Sequence, residues 1–291
     1  MPDPAITGRP QADGPSSLMP MGVSVPIGVF DSGIGGLSVL RHIRTRLPRE
    51  DLLYFADAGF VPYGDKSDQE VAQRSQAVAA FLLERGIKAL VVACNTATAA
   101  AIHTLRERYP ELPVIGVEPG LKPAAAATRN GTVGVLATGR TLASPKFTRL
   151  QESMTAASGV RFLPQACPGL ADQVEKGELR SAATAALVKR YLAPLLEHGA
   201  DTLVLGCTHY PFVQALIEDM AGQSGKTLAI VDTGEAVARQ LERVLAQRGL
   251  LREDGAGAVA GFTTGSRTAL ETAFARLLKL EIPVQDVAAG R

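Results

Sequence analysis

The sequence is poor in the residues that nucleic-acid binding uses. Tryptophan is absent and aromatic residues make up only 5% of the 291, so a stacking platform for bases is not expected. The chain carries 30 Lys and Arg against 29 Asp and Glu, with no block of like charge. Because nucleic acids are bound by clustered positive charge, they are not expected partners, whereas one local pocket is enough to hold a small acidic ligand.

Cysteine is equally scarce, since the chain has only Cys94, Cys167 and Cys207. Three cysteines without a CxxC pair do not make a disulfide framework, and neither a secretion signal nor an apolar run of roughly 18 residues is present. We therefore expect free thiols in a cytoplasmic protein with no membrane association. Residues 1–24, rich in Pro, Gly and Ser, are predicted to form a flexible extension, in which Met19 or Met21 equally fits a natural start.

From Pro26 onward, short apolar runs alternate with segments of helical periodicity. The runs are continuous instead of alternating with polar residues, which indicates parallel strands covered on both faces. The pattern starts near Ile27 and again near Thr132, so we predict an α/β fold of two similar open sheets, with ligands at the carboxyl ends of the strands. Residues 25–120 together with 231–291 are expected to form one domain, and residues 121–230 the other.

Two cysteines occupy matching positions in this pattern. The segments "ALVVACNTATAA" and "TLVLGCTHYPFV" each place a cysteine after an apolar strand and before hydroxyl or amide side chains. Cys94 and Cys207 are also predicted to precede helices, whose N-termini stabilise a thiolate. If the two halves face each other, both thiols reach one cleft.

A thiol and a thiolate on opposite sides of a substrate can invert a stereocentre, because one removes a proton and the other returns a proton to the opposite face. This chemistry needs no metal and no organic cofactor, but the site must stabilise a carbanion. Polar residues gathered at three strand ends favour such a site over a pair of inert, buried thiols. These residues are Asp31, Ser32, Asn95, Thr96, Thr208 and His209.

Other interpretations have less support. Cys94, Cys207 and His209 offer soft zinc ligands, but Cys-x-His lacks the spacing usual between zinc ligands, and a redox pair would need CxxC. "DSGIGG" matches neither common nucleotide-binding fingerprint, so we interpret it as a tight turn whose N–H groups suit a carboxylate. Cys167, followed by Pro168, is expected to be structural.

An ordered set of motifs resembles glutamate racemase and spans nearly the whole chain from Ile27 to about Gln240. The motifs are "GVFDSGIGGLSVLR", "YFADAGFVPYGDKS", "VVACNTATA", "PVIGVEPG", "VGVLATGRT", "LVLGCTHYPF" and "VDTGEAVA". The resemblance implies a cofactor-independent isomerase that interconverts L- and D-glutamate and supplies D-glutamate for peptidoglycan. It also implies two α/β domains with the site in the cleft between them, and a homodimer.

The resemblance implies residue roles as well. Cys94 and Cys207 match the catalytic cysteines, which take the α-proton from D-glutamate and L-glutamate respectively, while Asp31 assists the first and His209 the second. The residues that match substrate contacts are Ser32, Pro62, Tyr63, Gly64, Asn95, Thr96, Thr138 and Thr208. Thr141 is a further candidate contact, and Glu175 is a candidate partner of the histidine.

Two alternatives stay open. An aspartate racemase or another two-cysteine amino-acid racemase would use the same chemistry, although the order of "CNT" and "CTH" with "PYG" favours glutamate. Some glutamate racemases are reported to bind and inhibit DNA gyrase, but nothing basic or amphipathic in residues 1–24 supports such a contact. Regulation by cell-wall precursors likewise has no support in the sequence.

Overall fold

The computed structural model describes residues 25–288, and the extension predicted for residues 1–24 lies outside them. The strands are β1 Ile27–Asp31, β2 Leu52–Ala56, β3 Ala89–Val92, β4 Val114–Gly116, β5 Thr132–Ala137, β6 Arg161–Ala166, β7 Thr202–Gly206, β8 Ala229–Val231, β9 Val259–Thr263 and β10 Val284–Asp286. The helices are α1 Leu37–Arg46, α2 Asp68–Leu83, α3 Asn95–Arg108, α4 Leu121–Ala127, α5 Gly139–Ala143, α6 Pro145–Ser158, α7 Leu170–Glu175, α8 Ala182–Glu197, α9 Gln214–Gln223, α10 Gly234–Gln247 and α11 Arg267–Ala273. Short 3-10 turns cover Tyr63–Asp65 and Tyr210–Val213, and a π turn covers Phe274–Leu278.

The strands form two parallel sheets. The first has the order β10-β9-β2-β1-β3-β4 and the second the order β6-β5-β7-β8. The inner strands β1, β3, β5 and β7 are buried along their whole length, which explains why their sequences are continuously apolar. The predicted α/β class with two parallel sheets is confirmed. The domain boundaries stay a prediction, with β9 and β10 in the first sheet and β8, which ends at Val231, in the second.

The two sheets repeat one strand order. The order β2-β1-β3-β4 in the first sheet corresponds to β6-β5-β7-β8 in the second, so β3 and β7 are equivalent strands. In each sheet the chain reverses its winding direction between two inner strands, β1 and β3 or β5 and β7, and ligands bind beyond the carboxyl ends of such strands. Cys94 follows β3 and Cys207 follows β7, so both thiols stand at these switch points.

Local sequence signals explain how the elements next to the site begin. The side chain of Ser67 accepts a hydrogen bond from the Glu70 N–H at 3.2 Å, and the Ser67 N–H donates to the Glu70 carboxylate at 2.8 Å. These two hydrogen bonds form a capping box at the start of α2, which follows the Tyr63–Asp65 turn.

One buried apolar cluster spans both sheets, and it contains Val91 of β3 and Leu205 of β7. Among residues 25–288, no helix has both the length and the apolarity needed to cross a bilayer.

Candidate active site

The carboxyl ends of β1, β3, β5 and β7 surround a cavity of about 280 Å³. Most residues selected from the sequence lie in its wall. Those in the wall are Ser32, Pro62, Tyr63, Gly64, Cys94, Asn95, Thr96, Thr138, Cys207, Thr208 and His209. Asp31, Thr141 and Glu175 lie behind the wall and reach it through hydrogen bonds. Lys and Arg do not occur among the lining residues, so apart from His209 the donors that would face a bound anion are neutral.

A larger cavity, of about 780 Å³, opens beside β4 and α10, and its wall contains neither cysteine nor histidine. The acid–base chemistry predicted from the sequence therefore belongs to the smaller cavity.

Cys94 directly precedes α3, as predicted, and the structure makes it the N-cap of that helix. Its sulfur accepts a hydrogen bond from the Ala97 N–H at 3.4 Å and lies 3.9 Å from the Ser32 hydroxyl. Burial raises the pKa of the Cys94 thiol, and the nearby Asp31 carboxylate raises this pKa further, whereas the Ala97 N–H opposes both effects. These surroundings favour the protonated thiol at Cys94.

Asp31 is fully buried at the end of β1 and connects the two halves of the site. One carboxylate oxygen accepts from the N–H groups of Gly33 at 3.2 Å and Gly36 at 2.9 Å, while the other accepts from the Thr208 hydroxyl at 3.4 Å. Burial raises the pKa of Asp31, and the charge on His209 and the Gly36 N–H partly offset the increase.

Cys207 stands beside a histidine–carboxylate pair. His209 Nδ1 lies 3.6 Å from the Cys207 sulfur, and His209 Nε2 lies 2.6 Å from Glu175 Oε1. The same Glu175 oxygen accepts from the Ile34 N–H at 2.8 Å, so a loop of the first half holds it in place. Burial alone would lower the pKa of His209, but its hydrogen bonds to Cys207 and Glu175 outweigh burial and raise the pKa well above its ordinary value. The geometry therefore favours an imidazolium between sulfur and carboxylate.

The helix expected directly after Cys207 is absent at that point. A 3-10 turn, Tyr210–Val213, follows instead, and α9 begins only at Gln214. The prediction that an α-helix N-terminus stabilises a Cys207 thiolate is therefore wrong. The positive charge near this thiol comes from His209.

Asn95 carries an unsatisfied group in the wall. Its side chain is 5% exposed, and neither amide atom has a hydrogen-bond partner among the described residues. Leaving a buried amide unpaired costs on the order of 1–3 kcal/mol, so a polar ligand that fills the cavity would recover this energy. The hydroxyl oxygens of Thr96 and Thr138, from the two halves, lie 3.2 Å apart, and Thr138 is held by Thr141 at 2.9 Å.

The sequence reasoning did not place Cys167, Asp172 or Tyr210 in this wall, where the structure has all three. Burial raises the pKa of Cys167 to about 12, and its thiol donates to the Gln165 carbonyl at 3.4 Å. Its position directly after β6, at the carboxyl edge of the sheet that also carries Cys207, was the signal in the sequence. Among the described residues, no cluster of three or more His, Cys, Asp or Glu side chains is placed to hold a metal ion.

Comparison with known proteins agrees with this arrangement. Residues 27–259 match the family model described as Asp/Glu/Hydantoin racemase. The chain is 57% identical to the glutamate racemase of Pseudomonas paraeruginosa over 235 residues, which cover 81% of this chain and 87% of that one.

Two solved structures extend the likeness to the fold. A glutamate racemase isoform of Bacillus anthracis superimposes with a TM-score of 0.82 at 36% identity, covering 92% of this chain and 98% of that chain. The glutamate racemase of Francisella tularensis, solved in complex with D-glutamate, gives a TM-score of 0.79 at 27% identity, with 91% and 98% covered.

Proposed function

The chain belongs to the Asp/Glu/hydantoin racemase family and interconverts L- and D-glutamate, and we propose that Cys94 and Cys207 are the two thiols that exchange the α-proton. It is an isomerase of peptidoglycan synthesis, for which it supplies D-glutamate. One observation carries the proposal: two equivalent strands of two sheets deliver a cysteine each to the wall of one cavity.

The proposed reaction is a proton transfer through a carbanion. For D-glutamate, the Cys94 thiolate takes the α-proton from one face and the Cys207 thiol gives a proton to the other face, which leaves the opposite enantiomer. For L-glutamate the two sulfurs exchange roles. Each turnover breaks one S–H bond and one C–H bond and forms one of each, so it needs no oxidant and no net proton.

The neighbours of each sulfur suit this exchange. Asp31 raises the pKa of Cys94, which suits this thiol as the proton donor when L-glutamate is the substrate, and Asp31 is the proposed assistant to that sulfur when D-glutamate requires its thiolate. At the other sulfur, the His209 imidazolium, held by Glu175, would stabilise a Cys207 thiolate. The proposed substrate contacts are neutral donors from both halves, with Asn95 central because its amide has unsatisfied capacity. They are Ser32, Pro62, Tyr63, Gly64, Asn95, Thr96, Thr138 and Thr208, with Thr141 holding Thr138.

Replacing either thiol tests the mechanism directly. We expect Cys94→Ser and Cys207→Ser each to reduce racemisation at least a hundredfold, because a serine hydroxyl is a far weaker acid than a thiol, while circular dichroism and thermal unfolding stay near wild type. Optical rotation of D-glutamate is the measurement. Near-normal turnover by either variant would overturn the two-thiol assignment.

Heavy water separates this mechanism from internal hydrogen transfer. If solvent-exchanged thiols supply the incoming proton, the α-carbon of the first product formed carries deuterium. Product that retains the hydrogen of the substrate would contradict proton exchange through two thiols.

The substrate choice is tested against the nearest rival. Assays with glutamate, aspartate and a larger amino acid compare kcat/KM directly, and we expect glutamate to be preferred. A preference for aspartate would move the chain to the other racemases of the family.

We also propose a homodimer in the cytoplasm. The dimer rests on the family resemblance, and the location rests on three free cysteines, which suit a reducing compartment. Light scattering on the purified full chain gives the mass, and a monomer at assay concentration would contradict the dimer.

A further inference from the structure

Asp57 lies outside the cavity wall but accepts hydrogen bonds from three residues: Tyr63 of the loop that forms part of that wall, Arg74 of α2, and Thr264 after β9. It follows β2 and is fully buried. One carboxylate oxygen accepts from Arg74 Nη2 at 2.9 Å and the Thr264 hydroxyl at 2.8 Å. The other accepts from the Tyr63 hydroxyl at 2.5 Å and Arg74 Nε at 3.1 Å. A buried carboxylate with four donors is well compensated for the loss of water.

The donors hold successive points of one loop. Thr264 accepts from the Gly59 N–H at 3.0 Å, and the Arg74 guanidinium stacks on the Phe60 ring at 3.7 Å from its centroid. Tyr63 is the next point along the loop, and its ring is buried. The path from Gly59 to Tyr63 is therefore fixed by side chains that come from outside the loop.

The fixed end of this loop faces the substrate. Pro62, Tyr63 and Gly64 line the cavity, and Gly64 lies across from Thr138 of the other half, at ordinary contact distance for an added Cβ. The Tyr63 hydroxyl is bonded to Asp57, so the position of the Tyr63 ring in the cavity wall depends on the position of the Asp57–Arg74 pair. A misplacement of about 1 Å between a substrate and the groups that hold it can cost roughly a hundredfold in rate.

We propose that Asp57 and Arg74 are positioning residues that set the Pro62–Gly64 segment against bound glutamate. They do not touch substrate, so their effect passes through the segment. This inference rests on the proposed function, because it concerns how tightly the same cavity holds glutamate.

The two parallel hydrogen bonds from Arg74 to Asp57 give the sharpest test. Arg74→Lys keeps the charge but cannot donate two parallel hydrogen bonds to Asp57. We expect KM to rise about tenfold for both enantiomers, since the segment serves both, while kcat stays within about threefold. Arg85→Lys is the matched control, because Arg85 also stacks on a phenylalanine, Phe81, and bonds its carbonyl, but it is exposed and away from the cavity. The control should keep both constants.

A purely structural role gives a different result. Loss of folded protein would reduce kcat per total enzyme and leave KM unchanged, and this outcome for Arg74→Lys would overturn the inference. If Arg74→Lys does not fold, Thr264→Val removes one Asp57 donor with little change of shape and should raise KM in the same direction by a smaller factor. An unchanged KM in Thr264→Val then counts against the proposal equally.

The same measurements distinguish failure of the proposed function from failure of the positioning role. Wild-type enzyme that does not racemise glutamate would remove both the function and this inference. Wild-type enzyme that racemises glutamate, with unaltered KM in the variants, would remove only the positioning role.

Discussion

Cys94 and Cys207 stand on equivalent strands but have unlike neighbours. Cys94 has a helix N-terminus and a carboxylate nearby, and its pKa is raised by burial and by Asp31. Cys207 has an imidazole 3.6 Å away, and a carboxylate holds the far side of that ring. A racemase acts on two mirror-image substrates, so both sulfurs must be able to approach the α-carbon. The groups around the two sulfurs need not be the same.

The Glu175–His209 contact carries the first prediction. Glu175→Gln keeps an oxygen for the Ile34 N–H but removes the charge opposite His209, so the imidazolium is stabilised less. We expect turnover to fall about a hundredfold, which is at the low end for loss of a general acid–base group. Polarimetry in both directions measures it. Glu178→Gln, at an exposed glutamate just beyond α7, is the control. A loss below threefold for Glu175→Gln would leave the pair without a catalytic role.

The raised pKa of His209 predicts how stability depends on pH. Folding stabilises the protonated ring, so its contribution is fully present below the unfolded pKa of about 6.5 and disappears as pH rises through the folded pKa. Between these values it declines by up to about 1.4 kcal/mol per pH unit. The difference in unfolding free energy between wild type and His209→Gln should therefore be larger at pH 6 than at pH 9. Urea unfolding at both pH values measures it.

His103→Gln, at an exposed position of α3, serves as the comparison and should change stability little at either pH. A wild-type advantage over His209→Gln that grows from pH 6 to pH 9 would mean that the buried ring is held neutral.

At the scale of elements, the loop between β1 and α1 must pass very close to α7. A Cβ added to Gly33 would overlap Glu175 Oε1 and lie 2.6 Å from the carboxyl carbon, so the carboxylate would have to leave His209. Gly33→Ala is therefore expected to cost at least a hundredfold in turnover together with some stability. Kinetics and thermal unfolding measure both effects.

Gly222→Ala is the matched control, because Gly222 is exposed in α9 and an added Cβ meets nothing within 4 Å. It should keep activity and gain up to about 1 kcal/mol from better helix propensity. Normal turnover in Gly33→Ala would show that the β1–α1 loop can shift to accommodate the methyl group without displacing the Glu175 carboxylate.

Much of the fold and part of the site follow from local sequence. The apolar runs of β3 and β7 and the polar residues after Cys94 and Cys207 are local features, and the capping box of Ser67 is local as well. Glu175 is different, because its contact with His209 depends on how α7 packs under the β1–α1 loop. No short window of sequence records that packing. Strand β9 pairs with β2 from the far end of the chain, and no local feature of its sequence specifies that partner.

At the scale of the whole molecule, the cavity belongs to both sheets, and the sheets share a core. Glutamate that contacts Asn95 of one half and Thr208 of the other should therefore stabilise the whole fold as one cooperative unit. At a hundredfold excess over Kd, binding adds about 2.7 kcal/mol to the free energy of unfolding.

We expect one calorimetric transition, whose midpoint temperature rises as a whole with D-glutamate. Asn95→Ala should reduce the shift because it removes the buried amide, and lysine at equal ionic strength should give little shift. Two transitions, of which glutamate moves only one, would mean that one sheet alone holds the ligand.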